Sequence, residues 1–365
     1  MIRVTIAVQP RPYDAIIKNG LLERAGAQLR EVVGDGRDLI VVTVPPVRRK
    51  WGKKLTTSLS AAGFAARFVE MSDGERYKKL ATVEQLAEKL SVLGADRNAV
   101  IVAFGGGVVG DVAGLLASLY MRGVDLVQIP TTVQAQLDAA IGGKTGVNLR
   151  AGKNLVGTFH QPRAVLIDTA VLSTLPEREF RAGLYEGLKC GVIGNPALFA
   201  GFEKLQVKAL RRDPLALEWV IAESVKFKAE VVSSDERESG LRRVLNFGHT
   251  IGHALETESR YRRFLHGEAV AWGMIAATHI AAATGRINGA AAQRIVETVL
   301  GFGTLPNVEA RSRDIVRLLT RDKKTRNGIV HFVLPTEIGK VEIVNDVPEN
   351  LIVEAVNELR RLSKS

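Results

Sequence analysis

Short β-branched runs at 39–44, 65–69, 99–104, 126–129 and 164–167 recur through the first half of this chain, with amphipathic stretches between them. Strands joined by crossover helices lie parallel in one sheet, so this rhythm restricts the first half to an α/β architecture with helices over the sheet. The opening residues, MIRVTIAV, alternate apolar and polar side chains like a further strand. The segment 82–93, TVEQLAEKLSVL, has helical apolar spacing and stops before Gly94, as a crossover helix should.

From about Pro176 the pattern changes. Thr174 and Glu177 have the T-x-x-E spacing of a capping box, and long helical periods follow with few strand-like runs. The expected division is an α/β domain over 1–175 and a mainly α-helical domain over 176–365. Runs at 329–334 and 340–344 read as a small hairpin within the second.

No apolar run reaches membrane-spanning length, and the first residues lack the apolar core of a secretory signal, so a cytoplasmic location without a membrane partner is expected. Cys190 is the single cysteine, which excludes an intrachain disulfide or a thiolate metal site and leaves a small buried residue. The net charge of +11 admits nucleic acid, an acidic membrane surface or small anions as partners. Basic clusters at 48–54 and 260–263 lack the run of interleaved aromatics of a single-strand-binding face. A nucleic-acid binder would also leave the glycine and histidine clusters described next without a purpose.

The run at 99–104 leads into Gly105-Gly106-Gly107-Val108-Val109-Gly110-Asp111 and then a helical pattern through Tyr120. Strand, glycine turn and helix in that order let the backbone approach a pyrophosphate, which the N–H groups of the helix start then hold. The motif follows a late strand, whereas the first strand–helix turn, Thr43-Val44-Pro45-Pro46, has no glycine, so a standard dinucleotide-fold strand order is not expected. A second polar segment, 73–78, follows a strand and precedes a helix, where ligands of open α/β sheets bind. The stretch 130–162 mixes glycines with Thr131, Thr132, Asp138, Lys144, Lys153 and Asn154. Lysines beside glycines reach phosphate or carboxylate oxygens unhindered, so this stretch reads as a ligand-binding loop.

Glu186 lies in the helical pattern PEREFRAGLYEGLKCGVI between Gly183 and Gly187, small residues that let another element approach. His249 and His253 are four apart, on one helix face, and His266 follows in Leu265-His266-Gly267-Glu268. Two histidines and one carboxylate, with positions left for substrate and water, commonly hold zinc or another divalent metal. Spacing alone leaves His249 and His253 both eligible.

Together these segments resemble the 3-dehydroquinate synthases. The resemblance rests on DGERYK at 73–78, GGGVVGD at 105–111, DAAIGGKTGVN, GKNLVG, RAGLYEGLK, DERESGLRRVLNFGHTIGHALE, LHGEAVAWGM and Asp322-Lys323-Lys324, which span most of the chain. It implies an N-terminal Rossmann-like NAD-binding α/β domain, a mainly α-helical C-terminal domain for metal and substrate, and a site in the cleft between them. One zinc or cobalt ion and a homodimer are implied as well. The metal ligands would be Glu186, His249 and His266, leaving His253 to the substrate. NAD would be met by Asp73, Gly74, Glu75, Arg76, Tyr77 and Lys78, and by Gly107, Val108, Val109, Gly110 and Asp111. Thr131, Thr132, Lys144, Lys153 and the segment Val171, Leu172, Ser173, Thr174 would complete that set. Substrate would be met by Asp138, Lys144, Asn154, Lys189, Lys228, Glu238, Arg242, Asn246, His253 and one of Lys323 and Lys324, with Arg122 reaching across the dimer.

The implied substrate is 3-deoxy-D-arabino-heptulosonate 7-phosphate, which carries a carboxylate and a phosphate. Transient oxidation by NAD, phosphate elimination, reduction and aldol closure would give 3-dehydroquinate, a shikimate-pathway intermediate. Val44-Pro45-Pro46 departs from the family, which often has an Asp or Asn there for the adenosine ribose, and Ala139 and Ala140 stand where serines are frequent. There are two rivals: a related cyclase, which would share metal, NAD and fold but whose sugar phosphate lacks the carboxylate, and a metal-dependent polyol dehydrogenase of similar architecture. Arg242, Lys228 and Gly142-Gly143-Lys144 favour the carboxylated substrate, and a dehydrogenase has no use for so many anion-binding residues.

Overall fold

A computed structural model describes the backbone of residues 1–205, 207–325 and 330–364, with their side chains except those of 208 and 321–325. The chain divides into two compact units, 1–176 with 213–237, and 177–212 with 238–365.

The first unit is built on a seven-stranded sheet of β1 (Ile2–Ile6), β2 (Tyr13–Ile17), β3 (Asp38–Thr43), β4 (Arg67–Glu70), β5 (Ala99–Gly105), β6 (Asp125–Pro130) and β9 (Ala164–Ile167), β7 and β8 being the hairpin described below. Their order is β1-β2-β9-β6-β5-β3-β4, parallel throughout except that β1 runs antiparallel to β2. Each strand expected in the first half of the chain forms within two residues of its expected bounds. β5 is buried at every position, as a strand covered on both faces must be. β2 carries no alternation to announce it, because four of its five residues are buried.

Counted from β3, the parallel strands β4-β3-β5-β6-β9 run 2-1-3-4-5, a doubly wound order whose switch point falls between β3 and β5. In such an order the loops leaving the two strands diverge, which places the ligand crevice at their carboxyl ends. This is the physical reason that the glycine motif follows a late strand. α1 (Leu80–Val92) is the expected crossover helix, and α2 (Gly107–Leu119) follows the glycine turn. Val44, 3% exposed, joins the core of this unit, and Pro45 opens a short helical stretch as its first residue.

Three expectations need correction. The stretch 130–162 is not simply a loop, because β7 (Lys144–Leu149) and β8 (Gly152–Phe159) pair antiparallel within it. Its glycines disguise the strands, yet a Cβ at Gly146 would meet the Val156 carbonyl at 2.9 Å and one at Gly157 would run into that of Thr145. They serve close approach of two backbones rather than flexibility. The T-x-x-E pair forms no capping box. Thr174 ends a 3-10 turn, its hydroxyl donating to the Val171 carbonyl (3.2 Å) and accepting from Trp51 Nε1 (3.1 Å), while α3 (Glu177–Gly194) starts at Glu177. Nor does one cut at 176 divide the chain, since α4 (Pro214–Ser234) packs on β1, β2 and the turn at 135–139. Helical period reveals that a segment is a helix but not which unit it will cover.

The second unit centres on α3, α5 (His249–Glu258) and α6 (His266–Ala283). α6, HGEAVAWGMIAATHIAAA, is buried along nearly its whole length, as a helix without a polar face must be. The hairpin expected at its edge forms as β10 (Phe332–Glu337) and β11 (Lys340–Val344); residue 329 lies outside the described ones. No helix among the described residues is long and apolar enough to cross a membrane.

Candidate metal centre and nucleotide cradle

In the first unit, β5 ends at Gly105 and α2 begins at Gly107, with Gly106 extended between them and no side chain capping the helix. The N–H groups of the first turn, from Gly107, Val108 and Val109, therefore point past the strand ends as an anion site. A Cβ at Gly106 would meet Thr132 Cγ2 at 3.0 Å and one at Gly110 would meet Gln128 Oε1 at 3.0 Å, so packing as well as a ligand demands glycine there. Thr131 N donates to the Gly105 carbonyl (2.9 Å) and Thr132 Oγ1 accepts from Ala135 N (3.2 Å), tying the loop after β6 to the turn. Val109, Val171 and Leu172 are core residues, so only their backbones are left for a nucleotide.

The polar segment 73–78 and the hairpin meet at Asp111. Lys78, 6% exposed, pairs with the Asp111 carboxylate and donates to Asn154 Oδ1 (2.5 Å). Its carbonyl accepts from Asn148 N (2.8 Å), Asn148 Nδ2 donates to Glu75 Oε1 (2.8 Å), and Lys153 Nζ stands 3.7 Å from the same carboxylate. Burial pushes the Asp111 carboxyl up, and Lys78 opposes that shift. Asp73 is exposed, Gly74 has φ +105°, and the Arg76 guanidinium lies 4.8 Å from the Tyr77 ring centroid. Asn154 itself has φ +55°, a conformation in which asparagine is several-fold enriched. Sequence spacing gave no sign of this Lys78–Asp111–Asn154 network.

Lys228 on α4 donates to both the carbonyl (2.6 Å) and the carboxylate (2.5 Å) of Asp138, so two expected substrate contacts are joined. Exposed Lys144 follows Gly142 and Gly143, both at positive φ, at the start of β7. Exposed Ser173 lies with Thr174 in the 3-10 turn after β9. Arg122 stands apart, on an exposed turn beyond the far end of α2, about 20 Å along that helix from the glycine turn.

In the second unit, three helices converge through small residues. A Cβ at Gly267 would run into the Ala182 carbonyl of α3, and one at Gly273 into the carbonyl of Gly248, the residue before His249. Glu186 of α3 is 1% exposed, and its Oε1 lies 3.3 Å from His266 Nε2 and 3.8 Å from His249 Nε2. The ring centroids of His249, His253 and His266 are 5.1 to 5.7 Å apart. Neither Glu186 oxygen meets a well-aligned hydrogen bond among the described residues, although Lys189 Nζ lies 2.5 Å from Oε2. Two donors on one tetrahedral zinc stand about 3.3 Å apart; the Glu186–His266 distance matches this, and one ring nitrogen of each of the three histidines lies within 4.8 Å of the others.

The protonation of Glu186 and His249 suits the same use. Burial would push the Glu186 carboxyl up, but Lys189 and then His266 and His249 hold it well below the usual carboxylate range. Burial and Lys189 push His249 well below the usual imidazole range, leaving it neutral as a ligand must be. His266 moves the other way, to about 9, because contacts with the Glu186 and Glu256 carboxylates outweigh burial. His253 is exposed beside them. Just before α5, Glu238 Oε1 accepts from Asn246 Nδ2 (3.0 Å), and Arg242 is 2% exposed in the same stretch. The side chains of Lys323 and Lys324 lie outside the described residues.

Residues 68–182 match the family model described as 3-dehydroquinate synthase N-terminal, and residues 183–325 match its C-terminal counterpart. A 3-dehydroquinate synthase of Koribacter versatilis (strain Ellin345) is 54% identical over 363 residues, covering 100% of this chain and 99% of the relative. Among solved structures, 2-epi-5-epi-valiolone synthase from Streptomyces hygroscopicus subsp. jinggangensis 5008, with NAD+ and Zn2+ bound, superposes with a TM-score of 0.88 at 32% identity over 98% of this chain and 99% of that one. A 2-deoxy-scyllo-inosose synthase with carbaglucose-6-phosphate, NAD+ and Co2+ does so with a TM-score of 0.87 at 28% identity, with the same coverage.

Proposed function

The chain belongs to the 3-dehydroquinate synthase family, and we propose that it converts 3-deoxy-D-arabino-heptulosonate 7-phosphate into 3-dehydroquinate and phosphate. The observation that carries this reading is the buried Glu186 carboxylate facing His249 and His266 in a chain that also builds a nucleotide cradle after β5. When bound, NAD takes up and returns one hydride, and a divalent metal, zinc or cobalt, polarises the hydroxyl whose carbon gives that hydride.

In this proposal Glu186, His249 and His266 hold the metal. The uncapped first turn of α2 takes the pyrophosphate, and Lys78 keeps Asp111 and the β7–β8 hairpin in register for the rest of the nucleotide. His253 meets the substrate. Lys144, Lys189, Lys228 and Arg242 meet the two anionic groups, with Asp138, Asn154, Glu238, Asn246 and one of Lys323 and Lys324 fixing the hydroxyls and the phosphate. Oxidation of the substrate acidifies its neighbouring C–H, and the leaving phosphate accepts that proton, so these residues orient rather than abstract. A cytoplasmic homodimer, with Arg122 serving the partner's site, completes the proposal.

The neighbouring cyclases mark the alternative, a sugar phosphate without a carboxylate, but they are 32% and 28% identical against 54% for the dehydroquinate synthase relative. Zinc- or cobalt-loaded protein with NAD is offered the heptulosonate phosphate and, separately, sedoheptulose 7-phosphate. Phosphate release from the first is expected. Release from the second alone would overturn the assignment.

A further inference from the structure

Glu256 follows His249 by seven residues and His253 by three, so all three share one face of α5. Its side chain is buried, and its Oε2 stands 3.3 Å from Nδ1 of His266 on α6. The other nitrogen of that ring, Nε2, lies 3.3 Å from Glu186 Oε1. His249 repeats the arrangement, with Nδ1 3.1 Å from the Phe247 carbonyl oxygen and Nε2 3.8 Å from the same Glu186 oxygen. In both rings the outer nitrogen meets an acceptor and the inner one faces the shared carboxylate.

A neutral imidazole carries one N–H. An acceptor at Nδ1 holds that proton there and leaves the lone pair on Nε2. We infer that Glu256 is a positioning residue for the metal centre, fixing His266 in the Nδ1–H form and turning its Nε2 inward. The Phe247 carbonyl performs this task for His249, and at His266 a full negative charge performs it. That charge adds to the charge of Glu186 against a dication. The inference rests on the metal triad proposed above.

A merely structural Glu256 would hold α5 against α6, but these helices already meet backbone to backbone, since a Cβ at Gly252 would stand 2.9 Å from the Ala269 carbonyl. The two roles separate by measurement. Zinc affinity by chelator competition, the visible spectrum of the cobalt form and metal-free melting are compared for the wild type, Glu256→Ala, Glu256→Gln and His266→Ala. His266→Ala is expected to lose the metal. Glu256→Ala is expected to bind roughly 10- to 100-fold more weakly with an altered cobalt spectrum, as partners behind metal ligands do. Glu256→Gln keeps an acceptor without the charge and should fall between. Unchanged affinity in both Glu256 variants, even with lowered melting temperatures, overturns the inference. If Glu256→Ala does not fold, Glu256→Gln decides: weaker binding with unchanged metal-free melting supports the role, and wild-type affinity refutes it. A wild type that binds no metal would instead defeat the triad itself.

Discussion

Gly248 is the hinge on which His249 hangs, and replacing it with alanine tests how tightly the three helices set the metal centre. Its φ is +78°, where an L side chain costs about 1–2 kcal/mol. An added Cβ would also stand 2.7 Å from the Val270 carbonyl oxygen and 3.0 Å from Met274 N, both backbone of α6. Real Cβ atoms essentially never approach closer than 3.0 Å, so α5 and α6 must part by at least 0.3 Å just before His249. Donor distances at a metal tolerate only about 0.2 Å. Overpacking of this kind adds about 1–3 kcal/mol, so Gly248→Ala should destabilise the chain by about 2–5 kcal/mol in all. Gly285, with φ +70° and nothing within 4 Å of a Cβ, is the control for conformational strain alone. Gly285→Ala should cost only the first part, about 1–2 kcal/mol. Urea unfolding of the metal-free proteins reads these costs, and chelator competition reads zinc affinity. Gly248→Ala should lose about tenfold or more in affinity and Gly285→Ala none. Equal loss of affinity in both variants, or wild-type affinity in Gly248→Ala, would refute the reasoning.

His253→Ala should retain the metal and lose turnover, whereas His266→Ala should lose both; metal content after dialysis checks this, and the reverse pattern would exchange their roles. Lys78→Met leaves Asp111 and Asn154 without their shared cation, and is expected to weaken NAD binding in calorimetry by about tenfold or more while zinc affinity holds. His266 has a folded-state pKa raised from 6.5 to about 9. Its contribution to the stability of the metal-free chain is therefore full below about pH 6.5 and is lost as pH rises through about 9. Melting of chelator-treated wild type against His266→Gln should converge across that window, and a constant gap would count against the assignment.

The sheet was legible because β-branched runs between helical stretches announce themselves, and the glycine motif because no other residue permits that turn. The switch point between β3 and β5 was not legible, since strand order depends on which side of the sheet each crossover takes. Gly146 and Gly157 read as loop residues because the partner strand that demands them is invisible in sequence. In the metal centre, residue types and spacing found Glu186 and all three histidines but could not rank His249 against His253. The structure turns Nε2 of His249 and of His266 toward Glu186, each with an acceptor near Nδ1, and also brings one ring nitrogen of each of the three histidines within 4.8 Å of the others. Glu256 went unnoticed because a glutamate three residues past a histidine is ordinary on any helix surface, and only its burial against α6 gives it meaning.

The central claim is that a metal held by Glu186, His249 and His266 and a recycled NAD together drive phosphate elimination. It is tested most directly by following phosphate, dehydroquinate and the nicotinamide absorbance in one reaction of zinc-loaded protein, heptulosonate phosphate and substoichiometric NAD. The account predicts equal amounts of phosphate and dehydroquinate, many times the NAD supplied, with no net reduced cofactor. Reduced nicotinamide accumulating in step with substrate consumption, without phosphate, would contradict it and make the protein a dehydrogenase.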